Sequence, residues 1–190
     1  MVKGAYHYIK QAWKKPDKAT LRERMTGWRK QEVQVKVDKP LRLDRARALG
    51  YKAKKGFVVI RIRVKRGGHK KPRPNKGRRS KRLTNRLTLK MNYKWIAESR
   101  VQRKYKNLEV LNSYLVGKDG MNAFYEVICV DPSKPEIKSD KQLKWITNPA
   151  SKKRVLRGLT SAGTKSRGLR SKDPTSKVRP SVRAGKRRGK

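Results

Sequence analysis

Lys and Arg outnumber Asp and Glu by 56 to 13, and the resulting net charge of +43 limits what this chain can fold into more than any single pattern does. Self-repulsion on that scale works against a compact state unless a dense polyanion neutralises it. Nucleic acid is the polyanion that fits, because each phosphate paired with Lys or Arg releases condensed counterions. The charge is also uneven. From Arg61 to Lys90 there are 14 Lys or Arg and no acid. From Lys152 onward there are 15 against the single acid Asp173, whereas seven of the 13 acids lie between Glu98 and Asp140. A folded body belongs where the charge is balanced. The stretch 67–82, with Gly67, Gly68, Pro72, Pro74 and Gly77 and almost nothing apolar, has no material for a core.

The apolar pattern outlines that body. Tyr6, Ile9 and Trp13 fall on one helical face, and Pro16 ends that helix. Asp17 or Thr20 can cap a second, carrying Leu21, Met25 and Trp28. Val33, Val35 and Val37 alternate as a short strand, and Asp44 can cap a brief helix that stops at Gly50. The clearest strand is 57–65: Val58, Ile60, Ile62 and Val64 face a core while Arg61, Arg63 and Lys65 form a row of cations opposite. A helix is expected at about 93–106. Two strands follow, Leu108–Val116 and Ala123–Val130, joined by a Lys118-Asp119-Gly120 turn. Along the first of them Val110, Tyr114 and Val116 share one face by strict alternation, and a helical turn is expected at Gln142–Ile146. The order predicts an α+β architecture, a small mixed sheet with packed helices plus long basic non-globular extensions. It divides into one body over 1–150, interrupted by an extended arm at about 66–90, and a basic tail over 151–190.

Enzymatic readings find little support. Glu98, Glu109, Glu126 and Asp131 are scattered, and for Glu109 and Glu126 a solvated edge or an ion pair is the plainer account. Two histidines, His7 and His69, and one cysteine, Cys129, supply neither a catalytic triad nor a metal-ligand spacing. Cys129 lies in an apolar run and reads as a buried, inert thiol, which fits a reducing cytoplasm. There is no run of about 18 apolar residues to span a membrane. No helix-turn-helix, zinc finger, zipper or RNA-recognition sheet motif is present, which favours recognition of backbone and shape over base sequence. Gly lets the backbone approach RNA closely, Pro keeps an arm extended, and Arg adds bidentate phosphate contacts. Trp13, Trp28 and Trp95 have core spacing; Trp145, beside Lys144 and an Asn148-Pro149 turn, stays open to core or base-stacking roles. An architectural DNA binder, an rRNA-modifying enzyme and a membrane-active cationic protein are the rival classes. The second lacks a cofactor pocket or paired catalytic groups, and the third lacks a long amphipathic helix.

Specific words in the sequence resemble one family of archaeal and eukaryotic large-subunit ribosomal proteins, "L fifteen e". They are GAYHYIKQAW (Gly4–Trp13), LGYKAKKGFVVIRIRVKRGGHKKPRP (Leu49–Pro74), WIAESR (Trp95–Arg100), NLEVLNSYLVG (Asn107–Gly117), YEVICVDP (Tyr125–Pro132), WITNP (Trp145–Pro149) and RGLTSAGTKSRGLR (Arg157–Arg170). The resemblance implies a four-stranded α+β body with extensions buried among rRNA helices, no enzymatic activity, and residence in the cytoplasm within the large ribosomal subunit. It implies large-subunit 23S-type rRNA and neighbouring ribosomal proteins as partners, with no membrane and no homo-oligomer. No cofactor is implied, magnesium entering only with the RNA. The RNA-contacting positions it implies are Lys52, Lys54 and Lys55 before the strand; Arg61, Arg63, Lys65, Arg66, His69, Lys70, Lys71, Arg73, Lys76, Arg78, Arg79, Lys81 and Arg82 through the arm; and Arg157, Lys165, Arg167 and Arg170 in the last motif.

Overall fold

Helix formation begins where the capping chemistry allows it. A computed structural model describes residues 3–70, 77, 86–87 and 89–170, with backbone alone at 69–70 and 86–87. Helix α1 (Ala5–Lys14) stops before Pro16. Helix α2 (Lys18–Lys30) starts at Asp17, whose carboxylate accepts from the Ala19 and Thr20 amides and is held below the usual range by the Thr20 hydroxyl and those amides. Strand β1 (Gln34–Val37) leads into α3 (Leu43–Ala48), where Asp44 sits in the first turn and Arg42 is the capping position. The capping role expected of Asp44 therefore falls to a residue without a capping side chain. Strand β2 (Phe57–Lys65) covers the span the alternation predicts. At the base of the arm, β3 (His69–Lys70) and β4 (Arg86–Leu87) pair antiparallel. Helix α4 (Tyr93–Lys104) is capped by Asn92, which accepts from the Trp95 amide at 2.8 Å. Strands β5 (Glu109–Lys118) and β6 (Asn122–Val130) form a hairpin whose turn is fixed by Asp119, accepting from the Met121 and Asn122 amides. Short elements complete the chain: α5 (Pro135–Lys138), 3-10 turns at Lys144–Thr147 and Pro149–Ser151, and α6 (Ser161–Ser166).

The main sheet has the order β1-β2-β6-β5, and every pairing in it is antiparallel. The expected mixed sheet is corrected on this point. The β5–β6 hairpin inserts its second strand beside β2, so β6 and β2 run in opposite directions and no parallel crossover is needed. Both faces are covered. On one, Ile60, Ile62 and Val64 pack with Val127 and Cys129 under Ala97 and Val101 of α4. On the other, Phe124, Ile128, Tyr114 and Val116 pack with Trp28 of α2 and Ala46 of α3. Two-sided burial explains why β6 reads as a nearly unbroken apolar run, with eight consecutive buried residues after Asn122.

Strict alternation fails in β5. Register shifts between Val110 and Asn112, and between Leu115 and Gly117, place Val110 in the α4-side core and Tyr114 and Val116 in the α2-side core. The bulge supplies an extra residue that period-two reasoning does not count. Trp28 is buried, while Trp13 and Trp95 are half-buried against the two cores. Cys129 is fully buried, and burial pushes its thiol well above the usual range.

A larger difference concerns the basic stretch after Lys152. Sequence composition reads all of it as tail, yet residues 152–170 pack on the body. Val155 joins the α4-side core, and Thr160 and Ala162 are buried. The Trp95 indole donates to the Val155 carbonyl at 2.8 Å. Gly158 takes a φ of +67°, and a Cβ there would meet Arg167 Cδ at 2.7 Å and Trp95 at 3.1 Å. A Cβ on Gly163 would lie 2.7 Å from the Gly158 backbone, so the two glycines sit back to back. The Gly-Leu-Thr-Ser-Ala-Gly word is thus a packing motif. Residues 171–190 lie outside the described residues.

Candidate nucleic-acid interface

The cations that the sequence nominates fall into three groups. Lys71, Arg73, Lys76, Arg78, Arg79, Lys81 and Arg82 lie outside the described residues, and His69 and Lys70 are placed by backbone alone. A second group is committed to the protein itself. Lys52 and Lys54 converge on one Asp140 oxygen, each at 2.7 Å, and Lys54 also donates to the Glu136 carbonyl at 2.8 Å. Hydrogen bonds from these two ammonium groups hold the Asp140 carboxyl far below its usual range. Arg157 donates to the Ala150 and Lys152 carbonyls, and Arg167 to those of Arg157 and Gly158. These arginines close turns around the glycine motif. Arg157 still carries further N–H donors, since a guanidinium has five.

The row of cations on β2 is partly roofed rather than free. Arg61 lies over the Trp28 ring at 4.8 Å, donates to Gln31 Oε1 at 2.6 Å, and stands opposite Glu126 in the β2–β6 register. Arg63 donates to the Arg29 carbonyl and Arg66 to the Asp119 carbonyl. The third group is outward-facing. Lys55, Lys65, Lys165 and Arg170 are exposed and have no ion-pair or hydrogen-bond partner among the described residues.

Sequence reasoning also misses cations. Arg29 on α2 and Arg100 on α4 join Arg63 and Lys65 around one open hollow of about 340 Å³. Nothing local marks either residue; the sheet brings them together. Trp145 is 44% exposed, and the guanidinium of Arg154 sits 4.9 Å from its ring centroid. Arg154 is itself half-buried and donates to the Val110, Leu111 and Leu159 carbonyls, so one face of the indole is taken by a structural arginine.

The acids are internal, which corrects the solvated-edge reading of Glu109 and Glu126. Glu98 and Glu126 are fully buried and Glu109 nearly so, because the strands they occupy or face are covered on both sides. Glu98 on α4 accepts from Ser113 Oγ at 2.5 Å and Thr160 Oγ1 at 2.6 Å, tying helix, sheet and C-terminal stretch together. Glu109 accepts from the Lys153 amide at 2.9 and 3.0 Å. Glu126 accepts from Tyr114 Oη at 2.5 Å and the Leu41 amide at 3.1 Å. Burial raises all three carboxyls above the ordinary glutamate range. Each is spent on a different segment, so they form no catalytic pair. Asp131 caps the turn at Ser133.

Among the described residues, no group of three or more His, Cys, Asp or Glu could hold a metal ion, and no helix is long and apolar enough to cross a membrane. The surface is therefore a field of outward cations over a body whose buried acids hold its own segments. Residues 4–185 match the model of the family described as Ribosomal L15, which is nearly the whole chain. The chain belongs to the Ribosomal L15e family: it is a structural component of the large ribosomal subunit and not an enzyme.

Proposed function

We propose that this protein binds and stabilises folded 23S-type rRNA, neutralising phosphate with its outward cations and threading its basic extensions between RNA helices that otherwise repel. The observation that carries the reading is the location of the acids. If all 13 were spent on cations one for one, 43 of the 56 Lys and Arg would still lack a counter-charge. The best-buried acids are in fact spent on hydroxyls and backbone amides. The unpaired cations need an external polyanion. Lys55, Lys65, Lys165 and Arg170 present ammonium and guanidinium groups to it from the body, and the arm residues from Lys71 to Arg82 add to them. Neighbouring large-subunit proteins are the further partners, and the cytoplasmic large subunit is the location.

Binding should weaken with salt at a log–log slope of about −0.7Z to −0.9Z for Z phosphates neutralised. The test is a titration of the full chain against in vitro transcribed 23S-type rRNA, with duplex DNA as competitor. A steep slope with preference for the rRNA is expected. A slope near zero, or preference for duplex DNA, would return the protein to the architectural DNA-binding class. Co-sedimentation with large subunits through a moderate-salt wash is the independent check.

A further inference from the structure

The hollow between α2, α4 and the end of β2 has a topological cause. The β1 register stops at Gln34 opposite Ile62, and one more bond, from the Arg63 amide to the Val33 carbonyl at 2.9 Å, ends the pairing. Val64 and Lys65 run on past the edge strand. Cations reach this open edge from both faces of the sheet: Arg29 from α2, which covers one face, and Arg100 from α4, which covers the other. Arg63 and Lys65 come from β2 itself, and Asn122, the β6 partner of Lys65, adds an amide.

The charge balance here is lopsided. The acid within ion-pair distance of a lining cation, among the described residues, is Asp119, with Oδ2 at 3.8 Å from Arg29 Nε. Its other oxygen accepts from the Met121 and Asn122 amides. Four cations thus face one partly engaged carboxylate. Lysine on an uncovered strand edge has a familiar use in blocking strand-to-strand pairing. That accounts for Lys65 alone; it gives no reason for two arginines to arrive from helices on opposite sides. Gathering four like charges costs free energy that a bound anion returns. Arg63 is also oriented in advance, since it donates to the Arg29 carbonyl at the C-terminal end of α2, where helix carbonyls lack helical partners.

We propose that this hollow is a docking site for one stretch of RNA sugar-phosphate backbone, whose phosphate oxygens are held by Arg63, Arg100, Arg29 and Lys65. It fixes the register of the folded body on the RNA, as phosphate contacts do, without reading base sequence. The proposal rests on the rRNA-binding reading above and adds a particular site to it.

The test uses the full chain and a 23S-type rRNA transcript carrying randomly ethylated phosphates. Lys65→Gln with Arg100→Gln removes two exposed side chains that have no protein partner among the described residues. Lys138→Gln with Lys141→Gln, both exposed, removes the same charge elsewhere. In the wild type, ethylation at one backbone position or two adjacent ones should block binding through the hollow. The Lys65/Arg100 variant should lose sensitivity at that position alone, and its salt slope should shrink by about 1 to 2. The control pair should keep every position. Arg100→Gln alone should lose the same position, which covers the case of a double variant that folds poorly. An interference map identical to the wild type's overturns the site, whatever the slope does; that is also the outcome if an acidic segment of another protein occupies the hollow. A wild-type chain that shows no preference for the rRNA overturns the underlying reading, a distinguishable failure.

Discussion

Two basic stretches in this chain hold equal numbers of Lys and Arg and differ in what anchors they carry. Residues 71–82 are Lys, Arg, Pro, Asn, Gly and Ser, with no apolar side chain beyond proline. Residues 152–170 hold the same number of Lys and Arg, seven, over a longer span and include Val155, Leu156, Leu159, Ala162 and Leu169. The second stretch packs: Val155 enters the core, Thr160 reaches a buried carboxylate, and two glycines meet back to back. A high content of basic residues therefore does not keep a segment out of a fold when it carries a few anchors and buried acceptors such as Glu98 and Glu109 await them. Apolar burial contributes about 25 cal/mol per Å², so even one valine and one alanine offset part of the ordering entropy.

The comparison breaks most sharply at Gly163. Any Cβ there lies 2.7 Å from the Gly158 backbone, which cannot swing aside as a flexible side chain does. Gly163→Val should cost about 3 kcal/mol in urea unfolding at moderate salt. It should also open 152–170 to trypsin. Unchanged protease resistance would mean that the glycine contact does not hold the stretch in place. Next in size is Glu98→Ala, which leaves the buried Ser113 and Thr160 hydroxyls without their acceptor. About 2 kcal/mol should be lost. Combined with Thr160→Val, the losses should fall short of additive, because both changes break the same bond. Strict additivity in that cycle would separate the carboxylate from the tail.

How much of this was legible beforehand depends on whether the signal was local. The limits of β2, the Pro16 break, the Asp17 cap and the Lys118-Asp119-Gly120 turn are set by neighbours in sequence, and each stands in the structure close to where periodicity and turn chemistry put it. The face exchanged along β5 was not legible, because a bulge counts residues on a partner strand. The roles of Glu109 and Glu126 were hidden for a related reason. A carboxylate on a strand looks solvated until a second layer covers it, and here the cover comes from residue 41 and residue 153. Arg29 and Arg100 carry no local mark at all. They become a site through the open end of a sheet edge, while Arg157 and Arg167, which a motif does mark, are partly occupied in closing their own turns.

That last contrast gives a prediction for the RNA-binding side. Lys165→Gln with Arg170→Gln removes outward charges. It should reduce the salt slope of rRNA binding by about 1 to 2 and shift stability by less than about 0.5 kcal/mol. Arg157→Gln with Arg167→Gln should do the reverse, lowering stability by about 1 to 2 kcal/mol with the smaller effect on slope, since these guanidiniums serve backbone carbonyls. Equal slopes and equal stabilities for the two pairs would erase the distinction between inward and outward cations.

The smallest effect concerns pH, and it bears on the stretch that packs. Folding raises the carboxyls of Glu98, Glu109 and Glu126 through burial, so the folded state favours their protonated forms. Their contribution is fully present below the unfolded value of about 4.5 and is lost as pH rises through the raised folded values. Asp140 runs the other way. Its carboxyl is depressed by Lys52 and Lys54, and its contribution holds above about 3.8 and is lost in stronger acid. Stability should therefore decline above pH 4.5, by at most about 1.4 kcal/mol per pH unit for each glutamate that folding protonates. Glu98→Gln removes one such group, so its unfolding free energy should fall less steeply than the wild type's between pH 4.5 and 7. The same change should flatten the pH dependence of amide protection across 152–170, where Glu98 and Glu109 attach. Parallel pH profiles for wild type and Glu98→Gln would show that the buried carboxylate stays ionised throughout, held by its two hydroxyl donors against the pull of burial.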